Sequence, residues 1–172
     1  MHPASHDPLD SLDVLAARVG IALRDRGETV AVVESSAGGG VSAALLAIPG
    51  ASAFFLGGAV VYTRRAGKAL LGLTADDMVG LRGETEAYAC FAAGRMRASH
   101  RASWGLCESG AAGPTGSPYG DAPGHVCVAV VGVTPHSRTI ETAQPDRVMN
   151  MNLFARHLLA LFDEVLRDAH TR

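Results

Sequence analysis

Short β-branched apolar runs alternate along this chain with segments of helical periodicity, and that alternation limits the possible folds more than any other feature. Residues 29–34 (T-V-A-V-V-E) are apolar at consecutive positions, bounded by Gly27 on one side and by Ser35-Ser36 with three glycines on the other. A run of that kind suits a strand covered on both faces of a sheet. Residues 54–62, 103–108 and 125–133 read as further strands, and 139–143 as an edge strand. Between them, Asp7-Pro8 reads as an N-cap and first helical position, with Leu9, Leu12, Leu15, Ala16, Val19 and Leu23 at helical spacing, which predicts a helix over 8–26. A second helix follows from Gly39 and stops at Pro49-Gly50. A short helical pattern follows Tyr62, weakened by Gly67, and Thr74 with Asp76 and Asp77 resembles another helix start. Longer helices are predicted over 84–99 and 146–168. The expected fold class is therefore α/β, a three-layer α/β/α sandwich with a mainly parallel or mixed sheet, in a single domain over 8–168 behind a flexible tail at 1–7.

Composition closes off other classes. With 172 residues, 48% of them apolar and 19% charged, the chain has material for one sizeable core, which excludes wholesale disorder. A net charge of −2 with scattered arginines offers no basic field, so no nucleic-acid partner is expected. No apolar run reaches the ~18 residues of a spanning helix, and the N-terminus lacks the layout of a signal peptide, so a cytoplasmic protein without a membrane partner is expected. Cys90, Cys107 and Cys127 are far apart without paired metal spacing, which suits a reducing compartment and no metal. Fourteen of the fifteen basic residues are arginine, leaving one amine, Lys68, for any lysine chemistry.

In open α/β sheets ligands collect beyond the carboxyl ends of strands, and two glycine loops fall there. One runs through Glu34, Ser35, Ser36, Ala37, Gly38 and Gly39; the other holds Gly110, Ala112 and Gly113. The first opens onto a helix N-terminus, whose N–H groups suit a phosphate or a developing oxyanion. Neither matches the phosphate-loop or dinucleotide fingerprints, so on local pattern alone both also read as tight turns with capping serines.

The order of the motifs is more specific. E-S-S-A-G-G after the first strand, P-G-A-S-A-F-F-L-G-G-A-V-V-Y after the next helix, then G-A-A-G-P-T-G and P-G-H-V, together resemble the CinA C-terminal domain family, which includes stand-alone nicotinamide-nucleotide amidases. The resemblance implies hydrolysis of the carboxamide of nicotinamide mononucleotide to the acid mononucleotide and ammonia, without metal or other cofactor, by a homodimer or higher homo-oligomer. It implies Ser35 as nucleophile, matching the serine of the family's E-S-C-T-G-G, and Tyr62 as the strand-end tyrosine. A serine attacking an amide needs a base and N–H donors for the tetrahedral oxyanion.

The family's base is a lysine in Y-S-N-E-A-K, and here Gly67 holds that position, with Lys68 one residue later. On a helix one residue is about 100° of rotation, which predicts that Lys68 points away from the family's amine. Other departures are Ser36-Ala37 in the first loop, Arg82-Gly83-Glu84 before the middle helix, and Met151 where the family keeps an arginine after Arg147. His125 stands at a strand start as an alternative base near neutral pH. Tyr119 and Asp121 lie in the second loop, and Arg64-Arg65 bring positive charge beside Tyr62. Three readings follow: an amidase acting on a small-molecule pyridine nucleotide through Ser35, a divergent binding module without turnover, and another small-molecule hydrolase using His125.

Overall fold

The computed structural model describes residues 9–170. Five strands form one sheet in the order β2-β1-β3-β4-β5: β1 (Val30–Glu34), β2 (Phe55–Val60), β3 (Trp104–Gly110), β4 (His125–Val131) and β5 (Pro135–Glu141). β1 is parallel to both β2 and β3, whereas β4 and β5 are added antiparallel, so the sheet is mixed. The parallel half needs crossovers, and these supply the helices that cover the sheet. α1 (Leu12–Arg26), α2 (Gly40–Leu46) and α5 (Arg147–His170) lie on one face, and α3 (Arg64–Leu71) and α4 (Glu86–His100) on the other.

Alternation along the strands assigns side chains to two cores. Val30, Val32, Leu106, Val126 and Val128 pack with Leu15, Val19, Leu45, Phe154 and Phe162. Ala31, Val33, Cys107, Cys127 and Ala129 face Ala89, Ala92, Ala93, Met96 and Leu71. The second core uses small residues, which lets α4 approach the sheet closely.

Three expectations shift. The start at Asp7-Pro8 lies outside the described residues, and the described helix begins at Leu12 after Ser11. Thr74 and Asp77 do form a reciprocal cap, but the element behind it is one 3-10 turn, Asp76–Met78, soon followed by Gly80 at φ 75°. The edge strand begins at Pro135, where the polar sequence shows no apolar alternation because most of its side chains are exposed.

Gly105 marks the tightest helix-to-sheet contact: a methyl group on its Cα would stand 2.0 Å from the Ala93 carbonyl oxygen and 2.8 Å from Arg97 Cβ. Backbone cannot yield as a side chain tip can, so Gly105→Ala is expected to lower stability by about 3 kcal/mol, at the upper end for overpacking. Urea unfolding checks this; an unchanged midpoint would refute the contact.

Candidate active site

The carboxyl ends of β1, β2 and β3 open into a cavity of about 890 Å³. That volume is within the range of small-molecule sites. Ser35 and Ser36 border it from the loop after β1, Val61 and Tyr62 from the end of β2, and Ser109 to Gly113 from the end of β3. The N-terminal part of α3 contributes Arg64, Gly67 and Lys68, and α5 contributes Arg147.

Two buried carboxylates shape the first loop. Glu108, on β3, accepts hydrogen bonds at Oε2 from the Ser35 and Ala37 N–H groups, both at 2.9 Å, and at Oε1 from the Ser36 hydroxyl at 2.6 Å. Glu34, at the end of β1, accepts from the Val41 and Ser42 N–H groups at 2.8 and 2.9 Å and from the Ser42 hydroxyl at 2.7 Å. Both side chains are fully buried. Burial pushes the Glu108 carboxyl up, and the donors from Ser36, Ala37 and Ser35 work against that. The α2 N-terminus is therefore occupied by the chain's own Glu34 rather than open to a ligand anion. Glu34 does not border the cavity; nor do Gly38 and Gly39, which supply left-handed backbone at φ 68° and 96°.

At the far wall Arg147 donates to the Gly113 carbonyl at 2.7 Å and to the Tyr62 hydroxyl at 3.0 Å, joining the second loop, β2 and α5. Gly110 and Ala112 complete that wall. Lys68 is exposed and borders the same cavity as Ser35. Gly67 is buried, and a methyl group on it would meet Leu73 Cδ1 at 3.2 Å and Val61 Cγ1 at 3.6 Å. Tyr119 and Arg64 border the cavity and approach each other at 3.4 Å, whereas Arg65 does not reach it.

His125 stands outside the cavity, with both ring nitrogens engaged. Nδ1 bonds the Glu141 carboxylate and Nε2 lies 2.9 Å from the Glu84 carbonyl oxygen. Cys127 Sγ sits 3.8 Å from Nε2, so Cys127, His125 and Glu141 lie in the order of a nucleophile, base and orienter. The chemistry is wrong for that role. Cys127 is 1% exposed, it does not border the cavity, and burial raises its thiol pKa where an active nucleophile needs it lowered.

Sequence reasoning missed two carboxylates. Glu108 was visible only as the end of a strand, because its partners lie more than seventy residues earlier and meet it through the β1–β3 pairing. Glu84 stood in a departure from a family motif, yet nothing in sequence announces its backbone at φ 55°. Asp121, which pairs with Arg82 at 2.7 Å, is held down to about 2, chiefly by that hydrogen bond and also by Ser117 and His125.

Fold and cavity together define a single-layered mixed sheet between helices, with a serine loop at the carboxyl ends of its parallel strands. The family model of the CinA C-terminal domain matches residues 12–166, and the chain belongs to that family. A CinA-like protein of Prochlorococcus marinus (strain MIT 9313) is 43% identical over 116 residues, 66% of this chain and 26% of that protein. One from Synechococcus sp. (strain CC9902) is 38% identical over 120 residues, 70% of this chain and 29% of that protein. The chain thus spans between a quarter and a third of these relatives. Among solved structures, a CinA superfamily protein from Klebsiella pneumoniae 700603 superposes with a TM-score of 0.86 at 25% identity, covering 92% of this chain and 99% of that one. One from Enterobacter cloacae gives 0.84 at 26% identity, covering 96% and 98%. Among the described residues no helix is long and apolar enough to cross a membrane.

The His125 contacts have a pH signature. Burial works against the imidazolium, but the hydrogen bonds to Glu141 and to the Glu84 carbonyl, with the charges of Glu141 and Asp121, outweigh it and raise the pKa above the ordinary 6.5. A raised folded-state pKa contributes stability that is complete below the unfolded value and is lost as pH rises through the folded one. The stability gap between wild type and His125→Gln is expected to be wider at about pH 5.5 than at about pH 9. Urea midpoints at the two pH values check this, and an equal gap would refute it.

Proposed function

We propose that this chain hydrolyses the carboxamide of nicotinamide mononucleotide to nicotinate mononucleotide and ammonia, the activity suggested by the stand-alone amidases its motifs resemble. The observation that carries the reading is the convergence of Ser35, Tyr62, Lys68 and Arg147 on one cavity. In this mechanism the Ser35 hydroxyl attacks the carboxamide carbon as a base takes its proton. The tetrahedral intermediate collapses with loss of ammonia, and water then cleaves the acyl ester to release the acid and restore Ser35. Lys68 is the amine bordering the site for the proton transfers, and its neutral form is the one that accepts the proton. Arg147, already turned toward Tyr62 and Gly113, offers a cationic fork for the nucleotide phosphate.

A second reading, binding without turnover, draws on Gly67. A side chain at that position would begin beside Leu73 and Val61, both of which border the cavity. Leu73 has to yield by only a few tenths of an ångström.

The expected outcome is ammonia release by the wild type, lowered about a thousandfold or more in Ser35→Ala. Gly67→Lys is expected to raise the rate above wild type. Saturable nucleotide binding with no ammonia from the wild type would overturn the amidase reading and leave the binding module.

A further inference from the structure

Four cationic side chains border the cavity that holds Ser35, namely Arg64, Lys68, Arg82 and Arg147, and the three arginines differ in what already holds them. Arg82 is committed to the Asp121 carboxylate by contacts of 2.7 and 3.0 Å. Arg147 donates to two neutral oxygens, those of Gly113 and Tyr62, at 2.7 and 3.0 Å. Arg64 donates only to the Tyr119 hydroxyl, at 3.4 Å, which is longer than an ordinary N–H···O bond. Among the described residues no carboxylate pairs with Arg64.

The position of Arg64 costs stability and gains nothing within the chain. It is the first residue of α3, a helix of eight residues with no acidic residue in its first turn, and Lys68 follows one turn later. Cations are disfavoured in the first turn of a helix, and like charges four residues apart repel. A local arrangement that breaks such rules without an internal gain is expected where a ligand supplies the missing charge. Arg65, the next residue, is also exposed but does not border the cavity. The Tyr119 hydroxyl is a neutral acceptor that Arg64 can leave without loosening the loop behind it. The Ser117 hydroxyl donates to the Asp121 carboxylate at 2.6 Å and accepts the Tyr119 and Asp121 N–H groups at 3.1 and 3.2 Å. The Arg82 guanidinium carbon stands 5.0 Å from the centroid of the Tyr119 ring and holds the same loop through Asp121.

We propose that Arg64 is a specificity-determining residue that binds a phosphate monoester on the ligand, exchanging the Tyr119 hydroxyl for phosphate oxygens and sharing the charge of that group with Arg147. A phosphate monoester carries close to two negative charges at neutral pH and three strong acceptor oxygens, so it matches two guanidinium forks better than one. Replacing one long bond to a neutral hydroxyl by charge-assisted bonds favours the exchange. The proposal rests on the amidase reading for the rest of the ligand, and it gives that site a preference for a nucleotide over the riboside of the same base.

The test uses the Ser35→Ala chain, which holds ligand without consuming it, in calorimetric titrations with nicotinamide mononucleotide and with nicotinamide riboside. The nucleotide is expected to bind at least about tenfold more tightly than the riboside. Adding Arg64→Gln is expected to weaken the nucleotide by about tenfold, the scale of one charge-assisted contact, and to leave the riboside within about twofold. Adding Arg65→Gln removes the same charge outside the cavity and is expected to leave both affinities within about twofold, which separates a contact from the general field. Adding Tyr119→Phe removes the hydroxyl that Arg64 must leave, and the nucleotide is expected to bind as tightly as before or more so. Equal affinities for nucleotide and riboside, a loss in Arg64→Gln shared by both ligands or matched in Arg65→Gln, no loss in Arg64→Gln, weaker nucleotide binding in Tyr119→Phe, or no nucleotide binding at all would overturn the assignment. Ammonia release by the wild type reads the reaction separately. An Arg64-dependent preference for the nucleotide without ammonia keeps this inference and removes the amidase, and ammonia without such a preference does the reverse.

Discussion

Everything at the carboxyl end of the sheet depends on two buried carboxylates that bind backbone. Glu34 ends β1 and Glu108 stands two residues before the end of the neighbouring parallel strand β3, and between them they hold residues 35 to 42 by six hydrogen bonds, four from N–H groups and two from serine hydroxyls. A glycine loop has high conformational entropy, and two fixed anions remove it. The desolvation each carboxylate suffers is offset only while these donors are in place, so the loop and the β1–β3 pairing order each other. The Ser35 backbone is set by this arrangement, bonded at once to the Glu108 carbonyl and side chain.

This clasp also redistributes charge at the site. The positive end of α2 and the loop's N–H groups are largely satisfied within the chain, so they do not define the anion site that a glycine loop before a helix suggests. Positive charge at the cavity comes instead from side chains, with Arg147 held by Tyr62 and Gly113, Arg64 near Tyr119, and Lys68 on α3. Arg82 is already committed to Asp121 by a bidentate contact. The cavity's cationic side chains therefore lie on its α3–α5 side.

What sequence reveals about this arrangement follows from the range of the interactions. Strand runs, the glycine loops and the gathering of Ser35, Tyr62 and Arg147 around one cavity are legible because local periodicity and ordered motifs encode them. The clasp by Glu108 is not, since a glutamate at a strand end gives no sign of which backbone it will meet after two strands pair. Nor is Glu84, whose exceptional features are a torsion angle and an unpaired atom. His125 misleads for the opposite reason: its residue type suggests proton transfer, while its contacts are those of a brace, fixed to Glu141 on one side and the Glu84 carbonyl on the other. The helix start at Thr74 is a genuine capping box closing only a single turn, because Gly80 and the loop to Glu84 leave no chain for a longer helix.

The shift of the amine from position 67 to 68 then becomes a question of reach and order. Neighbouring Cα atoms are about 3.8 Å apart, and a lysine side chain is long enough to cover that displacement. A side chain at position 67 would start from a buried site between Leu73 and Val61, where packing restricts its rotamers before any substrate arrives. Lys68 starts from an exposed site, so directing its amine at Ser35 requires ordering a flexible chain, at a cost of up to about 2 kcal/mol. If that cost is met in the transition state alone, it corresponds to roughly thirtyfold in rate. On the proposed reaction, the substitution would slow a lysine-assisted step by an amount that a substrate well anchored by side chains such as Arg147 can partly offset.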